Sequence, residues 1–232
     1  RSHRHASEGI FKMMKITNEV FQVGGGVFTR PEDAAVYLIC FDGRAALVDA
    51  GCGGTVEAIC RNIADCGVSE RAIKYLLITH CHFDHTGGAA AIRDRIGCRV
   101  VAHTVDADCL EEGNDVVSAA TWYGTTLAPV TVDVRLTGDR ESVFLGDRPV
   151  SAIHIPGHSP GSVAYLAESE GLRVLFAQDV HGPLDPSLLS DPAAYRRSLE
   201  RIRDLNVDIL CEGHYGVYRG QDEVRAFIAS YL

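Results

Sequence analysis

Residues 75–88 read YLLITHCHFDHTGG, an apolar run followed by a cluster of ionisable side chains. The first four residues are apolar and predict a buried strand, which ends at a turn containing two glycines. The motif His80-x-His82-x-Asp84-His85 lies across this junction. At the end of a strand, residues two apart point the same way, so His80 and His82 can bind one ion, while Asp84 and His85 face a second position. Because imidazole and carboxylate suit zinc and iron, the motif predicts a metal site.

Three later residues repeat the same local arrangement. His158, Asp179 and His214 each lie close to the end of an apolar, strand-like run and beside a turn rich in Gly or Pro. Such positions bring side chains together at one edge of a sheet. These residues are therefore candidates for the same metal site.

The remaining sequence alternates between strand-like and helical patterns. Helical spacing of apolar residues begins near Val56, Ala89 and Val224, and Asp191-Pro192 is a good helix start. The segment 105–130 is the least legible and is interpreted as a helix with a loop. Strands are predicted at residues 16–23, 35–41, 45–49, 75–78, 130–136, 150–155, 163–167, 174–177 and 208–211. Strands followed by helices, twice over, favour layered sheets with helices outside.

Length and composition predict one globular domain. The 232 residues are 46% hydrophobic, enough to bury a large core, and none of the apolar runs reaches the roughly 20 residues that span a bilayer. Residues 1–14 are interpreted as an added tag or a disordered N-terminus, and residues 15–232 as a single domain. The eight cysteines form no Cys-x-x-Cys pair and are expected to be free thiols in a cytoplasmic protein.

The net charge of −9 argues against some classes of partner. An acidic chain is a poor electrostatic match for nucleic acid, and nothing in the sequence points to a membrane. We expect the partner to be a small-molecule substrate. The oligomeric state is left open, a homodimer included.

Taken together, these motifs resemble the metallo-β-lactamase superfamily, and the resemblance covers approximately residues 16–232. It implies an α+β protein with a four-layer αββα sandwich and the site at one edge. It also implies that His80, His82 and His158 bind one metal, that Asp84, His85 and His214 bind another, and that Asp179 bridges the two. The turn at Asp49-Ala50-Gly51 is similar to a recurring motif of this family, in which the Asp supports the site.

The same resemblance implies a hydrolase with two divalent metal ions, Zn²⁺ first and Fe or Mn as alternatives. A metal-bridging hydroxide would attack an ester-like carbonyl, and the metals would stabilise the oxyanion. Asp84 and Asp179 are the expected catalytic residues, because Asp84 would orient the nucleophile and pass a proton to the leaving group while Asp179 bridges the metals.

The same resemblance leaves three substrate classes, which are thioesters, lactones and persulfides. True β-lactamases of this fold lack the bridging aspartate, so Asp179 disfavours that activity. The pattern looks more like glyoxalase II, which hydrolyses glutathione thioesters, with the lactonases of the fold as an alternative. Persulfide dioxygenases, which hold a single iron, are a further alternative, but the sequence after Asp179 lacks their Gly-Arg-Thr-Asp-Phe stretch.

Substrate contacts are expected from the variable loops. The candidates are Trp122, Tyr123, His181 and Tyr215, of which the aromatic residues could form an apolar wall over the metals. For Trp122 and Tyr123, simple packing in a core is an equally open interpretation. His103 and His154 are expected to pack or to support ligands rather than to bind metal.

Overall fold

A computed structural model describes residues 13–232, apart from the side chain of Gln178. The predicted tag or disordered segment 1–14 therefore lies mostly outside the described residues. Its last two residues, Met13 and Met14, are described, and Met14 pairs with Gln22 in the first pair of strands. The elements are β1 (Met14–Lys15), β2 (Val20–Gly24), β3 (Val36–Phe41), β4 (Arg44–Val48), α1 (Val56–Asp65), β5 (Ile73–Leu77), α2 (Phe83–Thr86), α3 (Ala89–Ile96), β6 (Arg99–His103), α4 (Thr104–Glu112), β7 (Val134–Leu136), β8 (Arg140–Leu145), β9 (Arg148–His154), β10 (Val163–Ser169), β11 (Leu172–Gln178), α5 (Pro192–Arg203), β12 (Ile209–Glu212), β13 (Val217–Arg219) and α6 (Gln221–Ala229).

The strands form two mixed sheets. The first sheet has seven strands in the order β1-β2-β3-β4-β5-β6-β7, and β4 to β7 run parallel to one another. The second has six strands in the order β13-β12-β11-β10-β9-β8, with β11 and β12 as its parallel pair. Since β4, β5 and β6 are parallel neighbours, their carboxyl ends lie along one edge of the first sheet.

Three apolar layers hold the sheets and helices together. The central layer, with Tyr37 and Phe176 among its fully buried residues, fills the space between the two sheets. A second layer packs the outer face of the first sheet against α1, α3 and α4, with Ile59 and Leu76 at its centre. A third packs the second sheet against α5 and α6. The result is a four-layer αββα sandwich, since each sheet buries both of its faces.

Most of the predicted elements are present, with differences where the sequence pattern was weak. The strand predicted at 130–136 is shorter, Val134–Leu136, and the segment 105–130 begins with helix α4. Strand β8 was missed, because its first three residues, Arg140–Ser142, are polar and sit at the edge of the second sheet. Strand β13 was missed as well, since only three residues pair with β12.

Two further expectations concern the membrane and the thiols. Within residues 13–232, the structure has no helix that is both long and apolar enough to cross a bilayer. The eight cysteines are all free thiols.

Candidate active site

The seven predicted ligands meet at one edge of the sandwich. His80 and His82 follow β5, Asp84 and His85 lie in the short helix α2, and His214 follows β12. His158 lies in the turn between β9 and β10, and Asp179 directly follows β11. The order of the strands therefore brings together side chains that are up to 134 positions apart in the sequence.

The first group consists of His80, His82, His158 and Asp179, whose candidate ligand atoms all lie within 4.8 Å of one another. The Nε2 atoms of His80 and His158 are 3.2 Å apart. Asp179 Oδ2 lies 3.2 Å from His158 Nε2 and 3.7 Å from His80 Nε2. Three imidazoles and one carboxylate oxygen therefore surround a common point.

The second group consists of Asp84, His85, His214 and the same Asp179. The other oxygen of Asp179, Oδ1, lies 3.2 Å from His85 Nε2 and 3.4 Å from His214 Nε2. Asp84 Oδ2 lies 3.1 Å from His214 Nε2. Asp179 thus presents one oxygen to each group, which is the arrangement expected of a bridging carboxylate.

Hydrogen bonds on the far side of the imidazole rings fix their orientation. His85 donates from Nδ1 to Asp49 at 2.7 Å, and His158 donates from Nδ1 to the carbonyl oxygen of Pro183 at 2.8 Å. The hydroxyl of Thr79 donates to Asp49 and is left to accept from His80 Nδ1 at 3.0 Å. With Nδ1 occupied, Nε2 is the nitrogen that each ring offers to the site, as is usual for metal-binding histidines.

Asp49 supports the site, as the family resemblance predicted. It directly follows β4, is fully buried and adopts a left-handed backbone conformation with φ 62°. Its carboxylate accepts hydrogen bonds from the backbone N–H and the hydroxyl of Thr79 and from His85. One buried side chain therefore holds the end of β5 and a candidate ligand of the second group.

Asp106 plays a comparable part and was not predicted. This buried residue of α4 accepts hydrogen bonds from the backbone N–H of Cys81, the backbone N–H of Gly161 and the hydroxyl of Ser159. It therefore links the loop that carries His80 and His82 to the turn that carries His158. Its role depends on tertiary contacts in a segment whose sequence pattern was weak.

The close approach of one loop requires a glycine. Gly157, next to His158, has φ 139°, and a Cβ atom added there would lie 2.1 Å from the backbone nitrogen of Tyr195. Only glycine combines that conformation with such a contact. Helix α5 can therefore pack directly against the turn that positions His158.

Burial and neighbouring charges give the two groups different protonation behaviour. Burial, together with adjacent imidazoles, lowers the pKa of His80 well below its ordinary value and lowers the pKa of His82 to about 3. Burial alone would lower the pKa of His214 as well, but the adjacent carboxylates of Asp179 and Asp84 outweigh it and raise the pKa to about 10. His80 and His82 thus present neutral imidazole lone pairs, whereas His214 is paired with carboxylates.

Three buried polar atoms in the site have no hydrogen-bond partner in the described part of the chain. They are His82 Nε2, His85 Nε2 and Asp179 Oδ1. A buried, unpaired polar atom costs free energy, and three of them facing one another need a common partner. Cations satisfy all three, and nitrogen donors with carboxylates match the preferences of zinc and related divalent metals. The residues present therefore fit the metal ions that the sequence predicts.

The lowered pKa values of His80 and His82 predict that the metal-free protein is sensitive to acid. A histidine whose pKa is lowered in the folded state binds its proton more readily when unfolded, so stability falls as the pH drops below the unfolded value of about 6.5. His82 stays neutral in the fold down to about pH 3, and the pKa of His80 is lowered well below its ordinary value. His214 and His85, whose pKa values are raised, oppose this loss near pH 6.5, and their effect on the slope vanishes as the unfolded histidines become fully protonated. We expect the free energy of unfolding to fall by up to about 1.4 kcal/mol per pH unit for each of His80 and His82.

Urea unfolding of chelator-treated protein between pH 6.5 and pH 5 measures this slope. The His82→Asn variant, which has one titrating group fewer, should show a shallower slope than the wild type. Equal slopes for the two proteins would contradict the assignment.

Exposed apolar side chains surround the opening of the site, which we call the mouth. Tyr123 packs its ring 5.3 Å from that of Phe83, next to Asp84, and its neighbour Trp122 is 54% exposed. Tyr215, next to His214, is 58% exposed. The mouth also includes Leu184, which follows Pro183, whose carbonyl oxygen accepts the hydrogen bond from His158. Val27 belongs to it as well and lines a cavity of about 240 Å³ beside His214.

Placement of these side chains bears on the predicted substrate contacts. Trp122 and Tyr123 lie at the surface, Tyr123 being 42% exposed, rather than in a core. Burial and the nearby carboxylate of Asp84 raise the pKa of Tyr123, so its hydroxyl keeps its proton. His181 lies at the same opening, with its ring centroid 5.1 Å from that of His214. Tyr123, His181 and Tyr215 therefore adjoin the site, with Trp122 next to Tyr123 in the chain, and the role of all four in binding substrate remains a prediction.

Two histidines outside the site behave as expected. His103 and His154 stack their rings 3.9 Å apart and lie in neither ligand group. Glu212, however, was missed. It is fully buried between His181 and the turn at His214. The sequence signal that could have identified it is an acidic residue at the end of the apolar strand β12.

Fold and site together define a class of protein, the metal-dependent hydrolases built on two sheets with the site at their shared edge. The chain belongs to the metallo-β-lactamase superfamily, whose family model matches residues 29–214. The predicted fold class is thereby confirmed.

Relatives and solved structures agree with this assignment. The chain is 36% identical to a hydroxyacylglutathione hydrolase of Anaeromyxobacter dehalogenans over 60% of its length, a match that spans only 44% of that relative. It is 26% identical to an acyl-coenzyme A thioesterase of Gallus gallus, with 90% of this chain and 84% of the relative covered. A metallo-β-lactamase from Cronobacter sakazakii superposes with a TM-score of 0.78 over 94% of this chain and 93% of its own, at 23% identity. That last likeness shows the fold alone.

Proposed function

We propose that this protein is a dinuclear metal-dependent thioesterase. His80, His82 and His158 would hold one cation, Asp84, His85 and His214 the other, and Asp179 would contact both. The proposal depends chiefly on one observation about Asp179. Its two carboxylate oxygens face two separate sets of imidazoles. A single metal would leave one of these sets, with its unpaired buried nitrogen, without a partner.

Bound there, two divalent cations, zinc first and iron or manganese as alternatives, would polarise the thioester carbonyl and make a water molecule acidic near neutral pH. Burial alone would raise the pKa of Asp84, but His85 and His214 outweigh it and lower the pKa, so its carboxylate is ionised at neutral pH. Asp84 Oδ2 can therefore orient water, accept its proton and deliver it to the departing sulfur. The oxygen of water ends in the new carboxyl group, and the thiol leaves with the transferred proton.

Support for a thioester comes from the relatives and from the mouth. The named relatives act on a glutathione thioester and on acyl-coenzyme A. The mouth presents apolar and aromatic side chains beside both ligand groups, which suits an apolar acyl chain.

Activity on matched substrates tests this proposal. Zinc-loaded protein is assayed with butyryl-coenzyme A, butyryl-glutathione and a butyl-substituted lactone, with thiol release or acid release as the signal. We expect kcat/KM for at least one thioester to exceed that for the lactone by about 100-fold or more, and chelator treatment to abolish turnover. Lactone opening without thioester cleavage would instead favour the lactonase alternative, and oxygen uptake with glutathione persulfide would favour the dioxygenase.

A further inference from the structure

His181 and Glu212 form a pair that belongs to neither cation's main ligand set. Glu212 ends β12 and is fully buried. Its Oε2 accepts the backbone N–H groups of His214 and Tyr215 at 2.7 and 2.8 Å, while its Oε1 lies 2.7 Å from His181 Nδ1. One carboxylate therefore fixes both the turn that carries a candidate metal ligand and the ring of His181.

The pair does not form a third metal site, although Asp179, His181 and Glu212 lie close enough to hold an ion. Both oxygens of Glu212 already accept hydrogen bonds from N–H groups, and Asp179 faces the two ligand groups. A cation at this position would have to displace these donors. The arrangement instead orients the imidazole of His181.

This orientation determines what His181 can offer to a ligand. In a neutral imidazole whose Nδ1 donates its hydrogen to the carboxylate, Nε2 keeps its lone pair and is a hydrogen-bond acceptor. Among the described side chains, which exclude that of Gln178, Nε2 has no hydrogen-bond partner and is not one of the buried unpaired atoms. The side chain of His181 is 16% exposed. The ring is held at right angles to the rings of His214 and Tyr215, at centroid distances of 5.1 and 4.8 Å.

We propose that Nε2 of His181 accepts a hydrogen bond from an amide N–H of the thiol carrier in the substrate. This inference rests on the proposed thioesterase function, in which the sulfur departs beside Asp84 and His214. Coenzyme A and glutathione share one feature close to the sulfur, an amide nitrogen two carbons away. An acceptor fixed next to His214 recognises that feature in either carrier, whatever the acyl group.

A matched pair of minimal thioesters tests the proposal. S-Butyryl-N-acetylcysteamine carries the amide N–H, and S-butyryl-2-acetoxyethanethiol replaces it with an ester oxygen of nearly the same shape. We expect wild-type kcat/KM to favour the amide by about five- to tenfold, because one hydrogen bond is lost in the ester. In His181→Phe the ratio should fall to about one, because the acceptor that distinguishes the two compounds is gone.

Glu212→Gln provides a second, independent variant. The glutamine can keep the turn at His214 in place through its carbonyl oxygen while its NH₂ group donates to His181 Nδ1. The ring hydrogen then moves to Nε2, which becomes a donor, and the preference for the amide should disappear or reverse. His154→Phe, which replaces a histidine outside the site, serves as the control and should keep the wild-type ratio.

Binding to the metal-free protein separates this inference from the proposed function. The two butyl thioether analogues of these compounds have no thioester to cleave, and the metal-free protein lacks the cations that would activate water, so binding can be measured without turnover. It can be followed through Trp122, the single tryptophan of the chain. We expect the amide thioether to bind about five- to tenfold more tightly than the ester in the wild type and equally in His181→Phe. Equal binding in the wild type would overturn the inference, whereas selective binding without hydrolysis of either thioester would contradict only the proposed function.

Discussion

Asp179→Ala is expected to lower kcat/KM for a thioester by about 1,000-fold or more, a loss of about 4 kcal/mol in transition-state stabilisation. Within residues 13–232, Asp179 is the one carboxylate that faces both ligand groups, through Oδ2 toward His158 and through Oδ1 toward His85. Its removal takes away a negative charge that lies within 3.7 Å of four imidazole nitrogens, those of His80, His85, His158 and His214. Both cations should then bind more weakly, and the attacking water would lose its position between them.

Steady-state kinetics with butyryl-glutathione or butyryl-coenzyme A at saturating zinc measure this effect. Asp94→Ala replaces an exposed aspartate of α3 and serves as the control, with activity expected within about twofold of the wild type. An Asp179→Ala protein that is folded and retains more than a tenth of wild-type kcat/KM would contradict a bridging role.

Asp49→Ala should have the largest effect on stability, a loss of about 3 to 5 kcal/mol in the free energy of unfolding. The fully buried carboxylate accepts hydrogen bonds from Thr79 and His85, so its removal leaves a buried N–H, a hydroxyl and an imidazole without their acceptor. The His85 ring would also lose the hydrogen bond that directs Nε2 into the second group. Metal affinity should therefore fall by about 10- to 100-fold.

Urea unfolding of the metal-free protein gives the change in stability, and competition with a chromophoric chelator gives the affinity. Asp94→Ala is again the matched control and should differ from the wild type by less than about 0.5 kcal/mol. A decrease of less than 1 kcal/mol in the free energy of unfolding of Asp49→Ala would contradict the role of its hydrogen bonds in stabilising this edge of the sheet.

The candidate ligands could be located from the sequence because each lies close to the end of an apolar, strand-like run. In β5, β11 and β12 the apolar run ends just before His80, Asp179 and His214 respectively, so local pattern alone places these side chains at a sheet edge. Which edges meet is a tertiary property. It became predictable only through the resemblance to a family in which the same motifs occur in the same order.

The residues that the sequence did not reveal act through long-range hydrogen bonds. Asp106 contacts Ser159, 53 positions away, and Glu212 contacts His181, 31 positions away. The end of the apolar run marks Glu212 as a candidate, but nothing in the local periodicity marks its pairing with His181 or that of Asp106 with Ser159. Strand β8 was missed for a related reason, since the edge of a sheet tolerates polar residues on a strand that only one neighbour pairs with.

Two cations shared by one aspartate are the central claim, and elemental analysis of protein purified without added metal tests it most directly. The two ligand groups predict close to two equivalents of zinc, iron or manganese per chain, falling to one or fewer in Asp179→Ala. A single iron per chain would favour the persulfide dioxygenase alternative. No bound metal, even after reconstitution with zinc, would contradict the account of this site.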